Sequence, residues 1–323
     1  MMAPYLLRLA CLSLAVFFAI HFAVGLLVML TAGPTVRIAR RLRPSAAARL
    51  LLAVRMLPAA VGVLVVGGIC IPSYLWLEPE LSREEVGASC LAAAILGVSV
   101  WVLSGVRGLN GVMRASRHSR ACMQLGRPAG LAGFHLPIRV LDTKAPLFAL
   151  VGVFRSAVVL SDAVVKRLTP EQLDAALRHE VAHLHARDNL KRLLLLLTPG
   201  LLPGFHGFQE IERGWARFIE WSADDEAVAG DNQRSLSLAA ALVLMARLGG
   251  SAAAPLTANF MSDCGGVSAR VDRLLGPAPL APLPGVRPAM VAAAVAVLAA
   301  MVVGMLHPST LSYAHRIIEE VIH

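Results

Sequence analysis

Four apolar runs, at about 5–30, 56–77, 86–106 and 289–306, constrain this chain more than any other feature. Each is long enough to cross a hydrocarbon core of about 30 Å as a helix. In a bilayer such runs must be helical, because every backbone N–H and C=O has to be satisfied within the segment. The first run has one basic residue near its start, Arg8. Its length favours a membrane anchor over a cleaved signal peptide. With 57% hydrophobic and 16% charged residues and a mean hydropathy of +0.66, the chain lies outside the range of ordinary soluble domains.

The charged residues between the runs predict an orientation. Arg37, Arg40, Arg41, Arg43 and Arg49 follow the first run; Arg107, Arg114, Arg117, Arg120 and Arg127 follow the third. Glu78, Glu80, Glu84 and Glu85 separate the second from the third. The arginine bias predicts that both basic segments are cytoplasmic and that the N-terminus is outside. The net charge of +9 is thereby explained by topology, and direct nucleic-acid binding is not expected. Cys11, Cys70, Cys90, Cys122 and Cys264 are odd in number and far apart, so neither a disulfide framework nor a thiolate metal site is expected. His21 lies within the first run. An ionisable group at that depth is either functional or bonded to a neighbouring helix.

The chemistry concentrates in 169–197, TPEQLDAALRHEVAHLHARDNLKRLLLLL. Thr169 is a good N-cap, Pro170 suits the first helical position, and Gln172 completes a T-x-x-Q capping box. No glycine or proline follows, so one long helix is expected. It carries His179-Glu180-Val181-Ala182-His183, an H-E-x-x-H pattern. Spacing of four puts both imidazoles on one face, roughly 6 Å apart along the axis, where they can grip one metal ion with Glu180 beside it as base. The apolar, small-residue flanks Ala175, Ala176, Leu177, Val181, Ala182 and Leu184 predict a buried helix, where such polar groups need a partner. Catalytic zinc takes a third protein ligand. Glu220, in a segment free of glycine and proline from 215 to 229, is the candidate, with Glu210, Glu212 and Glu226 as rivals. Asp224, one turn after Glu220, can accept the second ring N–H of a ligand histidine. His206 reads as a polar loop residue.

The segments around this core are less specific. Residues 126–133 read as a linker. Residues 138–141, 147–153 and 157–160 read as short strands of a small antiparallel sheet, serving packing or holding an extended substrate by strand addition. After 197 the chain is apolar but broken by Pro199, Gly200 and Pro203, and reads as lying at the interface. A last soluble helix is expected at 235–248. There is no internal repeat and no phosphate-binding glycine loop.

The run Arg178-His179-Glu180-Val181-Ala182-His183-Leu184-His185-Ala186-Arg187-Asp188, with Glu220-x-x-x-Asp224-Asp225-Glu226 downstream, resembles the membrane-bound zinc metallopeptidases of the beta-lactam sensor-transducer (BlaR/MecR) family. More widely it resembles the HtpX and CAAX-prenyl endopeptidases. The 146–160 stretch and Arg270-Val271-Asp272-Arg273-Leu274 are also similar, less specifically. The resemblance implies zinc held by His179, His183 and Glu220, Glu180 as general base, and Asp188 and Asp224 as outer partners of the ligands. It implies a mainly α, integral-membrane fold: three membrane helices in 1–106, a cytoplasmic gluzincin-type α+β metallopeptidase domain in 107–288, a fourth membrane helix at 289–306 and an outside tail, 307–323. The implied activity is endopeptidase action in the plasma membrane on a cytoplasmic protein such as a transcriptional repressor. Quality control of membrane proteins, or a non-catalytic transducer with a structural zinc site, are the alternatives. The expected partners are the bilayer and the protein substrate, with a homo-oligomer left open. The family's receptors carry an outside penicillin-binding domain after the last span; the sequence ends at His323, so sensing through such a domain is not expected.

Overall fold

The computed structural model describes residues 2–77, 87–130, 136–202, 204–249, 258–259 and 264–276. The expected fourth span, the tail and the acidic loop 78–85 lie outside the described residues. Among those described, three helical stretches are long and apolar enough to cross a membrane: Tyr5–Leu30, Pro44–Leu77 and Ala88–Leu125. They correspond to helices α1 (Met2–Leu30), α3 (Pro44–Val65) continued through a π-helical turn (Val66–Cys70) into α4 (Ile71–Leu77), and α5 (Ala88–Leu125). The short α2 (Ala32–Ala39) links the first two.

Two boundaries differ from expectation. The second helix begins at Pro44, twelve residues before the apolar run at 56, because Pro44 is an N1 residue and Ala47, Ala48 and Leu51 form a buried stripe. Arg49 therefore sits within a helix rather than in a basic loop. The third helix does not stop at 106 but carries Arg107, Arg114, Arg117 and Arg120 on its continuation. At 38 residues it is about 57 Å long, nearly twice a hydrocarbon core. Close approach between the spans depends on missing side chains: a Cβ at Gly97 of α5 would come within 2.6 Å of the Leu14 carbonyl oxygen of α1. Small residues permit such contacts where apolar lipid gives helices little other reason to associate.

The folded portion beyond α5 is built on a five-stranded sheet in the order β1-β2-β4-β3-β5. Its strands are Arg127–Ala129, Ile138–Leu141, Phe148–Val151, Ala157–Ser161 and Ala258–Asn259, numbered β1 to β5 along the chain. The sheet is mixed, not antiparallel: β2 and β4 run parallel, with Ile138 opposite Val158. Residues 127–129, expected in a linker, pair antiparallel with β2. Every residue of β3 and β4 is buried, because both faces are covered. Phe148, Leu150, Val158 and Leu160 join a core with Ala176, Leu177, Leu238 and Leu242. Ala149, Val151, Ala157 and Val159 pack with Cys122 at the end of α5. Such two-sided burial erases the alternation by which a strand is usually read.

Four helices complete the domain: α7 (Pro170–Ala186), α8 (Asp188–Leu197), α9 (Gln209–Val228) and α10 (Asn232–Arg247), with the one-turn α6 (Asp162–Val165) before them and α11 (Cys264–Leu275) after. Helix α9 starts six residues before the segment read from the sequence, and α10 starts at Asn232, capped by the Asp231 side chain on Gln233 N–H. Ile211, Trp215, Phe218 and Ile219 of α9 pack with Val36, Ala48 and Leu51 of α2 and α3, so the domain and the spans share a core.

The broken stretch after α8 is tied to all three spans. His21 Nε2 of α1 lies 2.8 Å from the Gly200 carbonyl oxygen. Arg55 of α3 donates to the carbonyls of Pro199 and Thr198 at 3.3 and 3.5 Å. Arg107 of α5 donates to Thr198 O at 3.4 Å. Arg55 also pairs with Glu212 of α9 at 2.7 Å and lies over the Phe208 ring. Three carbonyls that a broken helix leaves without partners thus take donors from three different helices, as apolar surroundings require. His21 is the bonded histidine of the two readings above.

Candidate functional site

The site begins with the start of α7. Thr169 caps the Gln172 N–H at 3.3 Å and the Gln172 side chain returns to Thr169 N–H at 3.1 Å. The buried face of the helix carries Ala175, Ala176, Leu177, His179, Glu180, Ala182 and His183. Both histidines and Glu180 have no exposed surface.

The expected single helix 169–197 is broken. Arg187 adopts a left-handed conformation, φ 55° and ψ 41°, which costs a non-glycine residue about 1–2 kcal/mol. No glycine or proline marks the place. The gain lies in what the break positions. Residues five apart on a straight helix point about 140° away from one another, but the turn at Arg187 folds Asp188 back so that its Oδ2 lies 2.8 Å from His183 Nδ1. Lys191 holds the other oxygen of Asp188 at 2.9 Å, and Asp188 is itself buried.

Helix α9 packs against α7 and presents Glu220 and Asp224, one turn apart and both buried. His179 Nδ1 lies 3.0 Å from Asp224 Oδ1. With each Nδ1 facing a carboxylate, both rings are held as the Nδ1–H tautomer. Their Nε2 atoms then offer lone pairs to the same point, 3.1 Å apart. Glu220 adds its oxygens at 3.5 Å from His179 Nε2 and 3.7 Å from His183 Nε2. Three acceptors that converge in this way suit a cation, and Arg270 and Arg192 already reach Glu220 from outside the point of convergence. His179, His183 and Glu220 form the group able to hold a metal ion, with ligand atoms all within 4.8 Å of one another. A tetrahedral site with bonds of about 2.0–2.1 Å has edges of about 3.3 Å. The Nε2–Nε2 separation, and the distance from each ring to the nearer Glu220 oxygen, Oε2 for His179 and Oε1 for His183, lie near that value, so the residues suit a metal.

The electrostatics agree. Burial alone would lower the His183 pKa, but Glu220 and Asp188 outweigh it and raise it to about 10. Burial likewise works against ionised Glu220, yet His183, His179 and Arg270 hold its pKa well below the usual value. The pocket thus favours positive charge where the three ligand atoms meet, either a proton on His183 or a cation in its place, which requires the ring deprotonated.

Glu180 is arranged differently. Its Oε2 accepts the Leu150 N–H of β3 at 2.9 Å, while Oε1 is buried with no hydrogen-bond partner among the described residues. Burial, partly offset by His183 and His179, raises its pKa to about 7. Leu150 is fixed on its other side too, because Asn189 of α8 donates to the carbonyls of Leu150 and Gly152 at 3.3 and 2.8 Å. Strand β3 is flanked by β4 and β5, so it is not the open edge that strand addition requires. A cleft of about 290 Å³ touches His183 and is walled by Leu150, Val153, Phe154, Leu184 and Leu190, with Ser156, Arg187 and Asn189.

The rival carboxylates are used elsewhere or point outward. Glu212 pairs with Arg55, Glu226 makes an exposed contact with His185, and Glu210 and His206 are exposed. Two residues with no assigned role in the sequence reading join the site. Arg270 of α11 donates to Glu220 and Asp224, and Arg192 of α8 approaches Glu220 Oε1 at 3.4 Å. The Arg270–Leu274 stretch was notable in the sequence, but one arginine on a helix carries no local signal for the carboxylates it meets. Asp188→Asn is expected to weaken metal binding by about 10–100-fold, since the amide no longer accepts from His183 as a carboxylate does. Competition with a chromogenic chelator measures it, and unchanged affinity would remove Asp188 from the metal's support.

Residues 126–274 match the family model of Peptidase family M48, and the M48 peptidases are metallopeptidases. The matched segment contains the sheet, α7 to α11 and every side chain of the cluster. No curated protein matches the chain.

Proposed function

We propose, from the M48 match and the cluster it encloses, that this chain is a membrane-embedded zinc endopeptidase. Its proposed role is regulated cleavage of a cytoplasmic protein such as a transcriptional repressor. One observation carries the catalytic half of this reading: Glu180 places an unpartnered, buried carboxylate oxygen beside the two histidines of its own helix. A structural metal site has no use for such a group, and burying a carboxylate is costly. Two imidazoles and one carboxylate suit zinc and leave a coordination position open.

His179, His183 and Glu220 would hold the metal. When bound, zinc supplies a Lewis acid that polarises the scissile carbonyl and acidifies a water. The protein's own groups do the rest. Glu180 takes the water's proton on Oε1 and returns it to the leaving amine, while the Leu150 N–H keeps Oε2 from rotating into its place. Asp188 and Asp224 hold the ligand rings in register. The cleft beside His183, lined by both apolar and polar side chains, receives a substrate side chain next to the scissile bond, and Phe154 at its rim is exposed to meet an incoming chain.

The regulatory half rests on the likeness to the BlaR/MecR family and on orientation. The arginines of α2, α3 and the α5 extension favour the cytoplasm. Reporters fused after Leu125 should report cytoplasm, and reporters within 78–85 should report outside. The reverse would remove cytoplasmic proteins as substrates. Proteomics of cells carrying wild type or Glu180→Gln then separates the two enzymatic readings. Accumulation of an intact soluble DNA-binding protein in the variant supports regulated cleavage. Accumulation of misfolded membrane proteins instead would favour quality control of the HtpX type.

A further inference from the structure

We propose that Arg270 is a positioning residue of the metal centre. Its guanidinium sets the carboxylates of Glu220 and Asp224, and through Asp224 the His179 ring, so that assembly of the site depends on the docking of α11. This rests on the metallopeptidase reading above and adds to it a role for Arg270 that the sequence reading left unassigned.

The geometry is that of a fork. Arg270 is 4% exposed. Its Nε donates to Asp224 Oδ2 at 2.9 Å and its Nη2 to Asp224 Oδ1 at 2.6 Å, a bidentate pair. The remaining nitrogen, Nη1, donates to Glu220 Oε2 at 3.2 Å. Nη2 also lies 3.4 Å from His179 Nε2. One planar group therefore touches a candidate ligand carboxylate, a candidate ligand histidine and the carboxylate that orients that histidine.

Two buried carboxylates one turn apart on α9 repel each other and would rotate away without a cation between them. A guanidinium between them defines both rotamers at once, because its donors are fixed in one plane. A lysine ammonium supplies the charge but not the fork. Arg192 is no substitute, since it approaches Glu220 at 3.4 Å from a partly exposed side chain, without the bidentate grip on Asp224 that Arg270 has.

The neighbouring turn separates positioning from docking. Asp224 and Asp225 are adjacent on α9, and Arg270 and Arg273 are three apart on α11. Asp224 faces inward to Arg270, whereas Asp225 is half-exposed and pairs with Arg273, which also lies 5.5 Å over the Trp221 ring. Both pairs hold α11 to α9, but only the inner one touches the cluster.

The test uses the full chain purified in detergent as wild type, Arg270→Lys, the double variant Arg270→Gln/Asp224→Asn, and Arg273→Gln. Zinc affinity is measured by chelator competition, the visible spectrum is recorded after cobalt loading, and kcat and KM are measured on casein at saturating zinc. Arg270→Lys should weaken zinc binding by about 10–100-fold, alter the cobalt spectrum, and lower kcat with KM unchanged. The double variant removes both charges together, so it should fold even if the lysine form does not, and it should lose more zinc affinity than Asp224→Asn alone, measured beside it. Arg273→Gln should lower the unfolding temperature but keep wild-type zinc affinity and spectrum. Wild-type affinity, spectrum and kcat in the Arg270 forms would overturn the proposal. So would equal losses in Arg273→Gln, which would make docking alone the cause. A wild type that neither binds zinc nor cleaves casein would instead sink the metallopeptidase reading on which the proposal rests.

Discussion

Glu180→Gln should bind metal as the wild type does and lose about 10²–10⁴-fold in turnover, the range that a positioned acid–base group contributes. Metal retention follows from geometry, because Glu180 is not one of the three converging side chains. The fold should also survive. The amide oxygen of glutamine can accept the Leu150 N–H that Glu180 Oε2 accepts now, and the variant removes a buried carboxylate whose ionised form burial disfavours. Only the proton acceptor at Oε1 is lost. Metal analysis, thermal unfolding and casein cleavage on one preparation separate the three properties. Cleavage at wild-type rates would end the role given to Glu180, and loss of metal with activity would place it among the ligands.

Glu220→Ala should lose metal and activity together, by more than the about 10–100-fold expected of an outer partner. Two imidazoles alone leave zinc short of the three protein ligands usual in catalytic sites. The structure adds a second cost. Arg270 and Arg192 both donate to Glu220, and removing one partner of a buried ion pair leaves the other charge uncompensated. Glu220→Gln is therefore the cleaner variant, since it keeps the volume and a neutral oxygen. It should still bind zinc weakly and fold better than the alanine form. Glu210→Ala and Glu226→Ala should keep the metal, because both side chains lie outside the cluster. Full zinc occupancy in Glu220→Ala would show that the third ligand is a different residue.

Several parts of this protein are written locally. The spacing of His179 and His183 fixes a shared helical face whatever surrounds it, and Glu180 is carried with them. Glu220 and Asp224 share a face for the same reason. The capping box at Thr169 needs only three neighbouring residues. The three apolar runs among the described residues form membrane-length helices, as a bilayer would require of them, although composition did not show that α5 would continue to Leu125 or that α3 would begin at Pro44.

What tertiary structure decided has a common cause: the stabilising partner is distant in sequence. Arg187 turns left-handed without glycine because Asp188 gains His183 and Lys191 by it. Residues 127–129 become a strand because β2 offers an edge, and β4, which returns antiparallel to β3, places itself parallel to β2, a pairing between strands that are not consecutive in the chain. Arg270 reaches Glu220 and Asp224 across 50 and 46 residues. Periodicity assigns a side chain to a face of its own helix; which buried charge it meets there is set only when the helices pack.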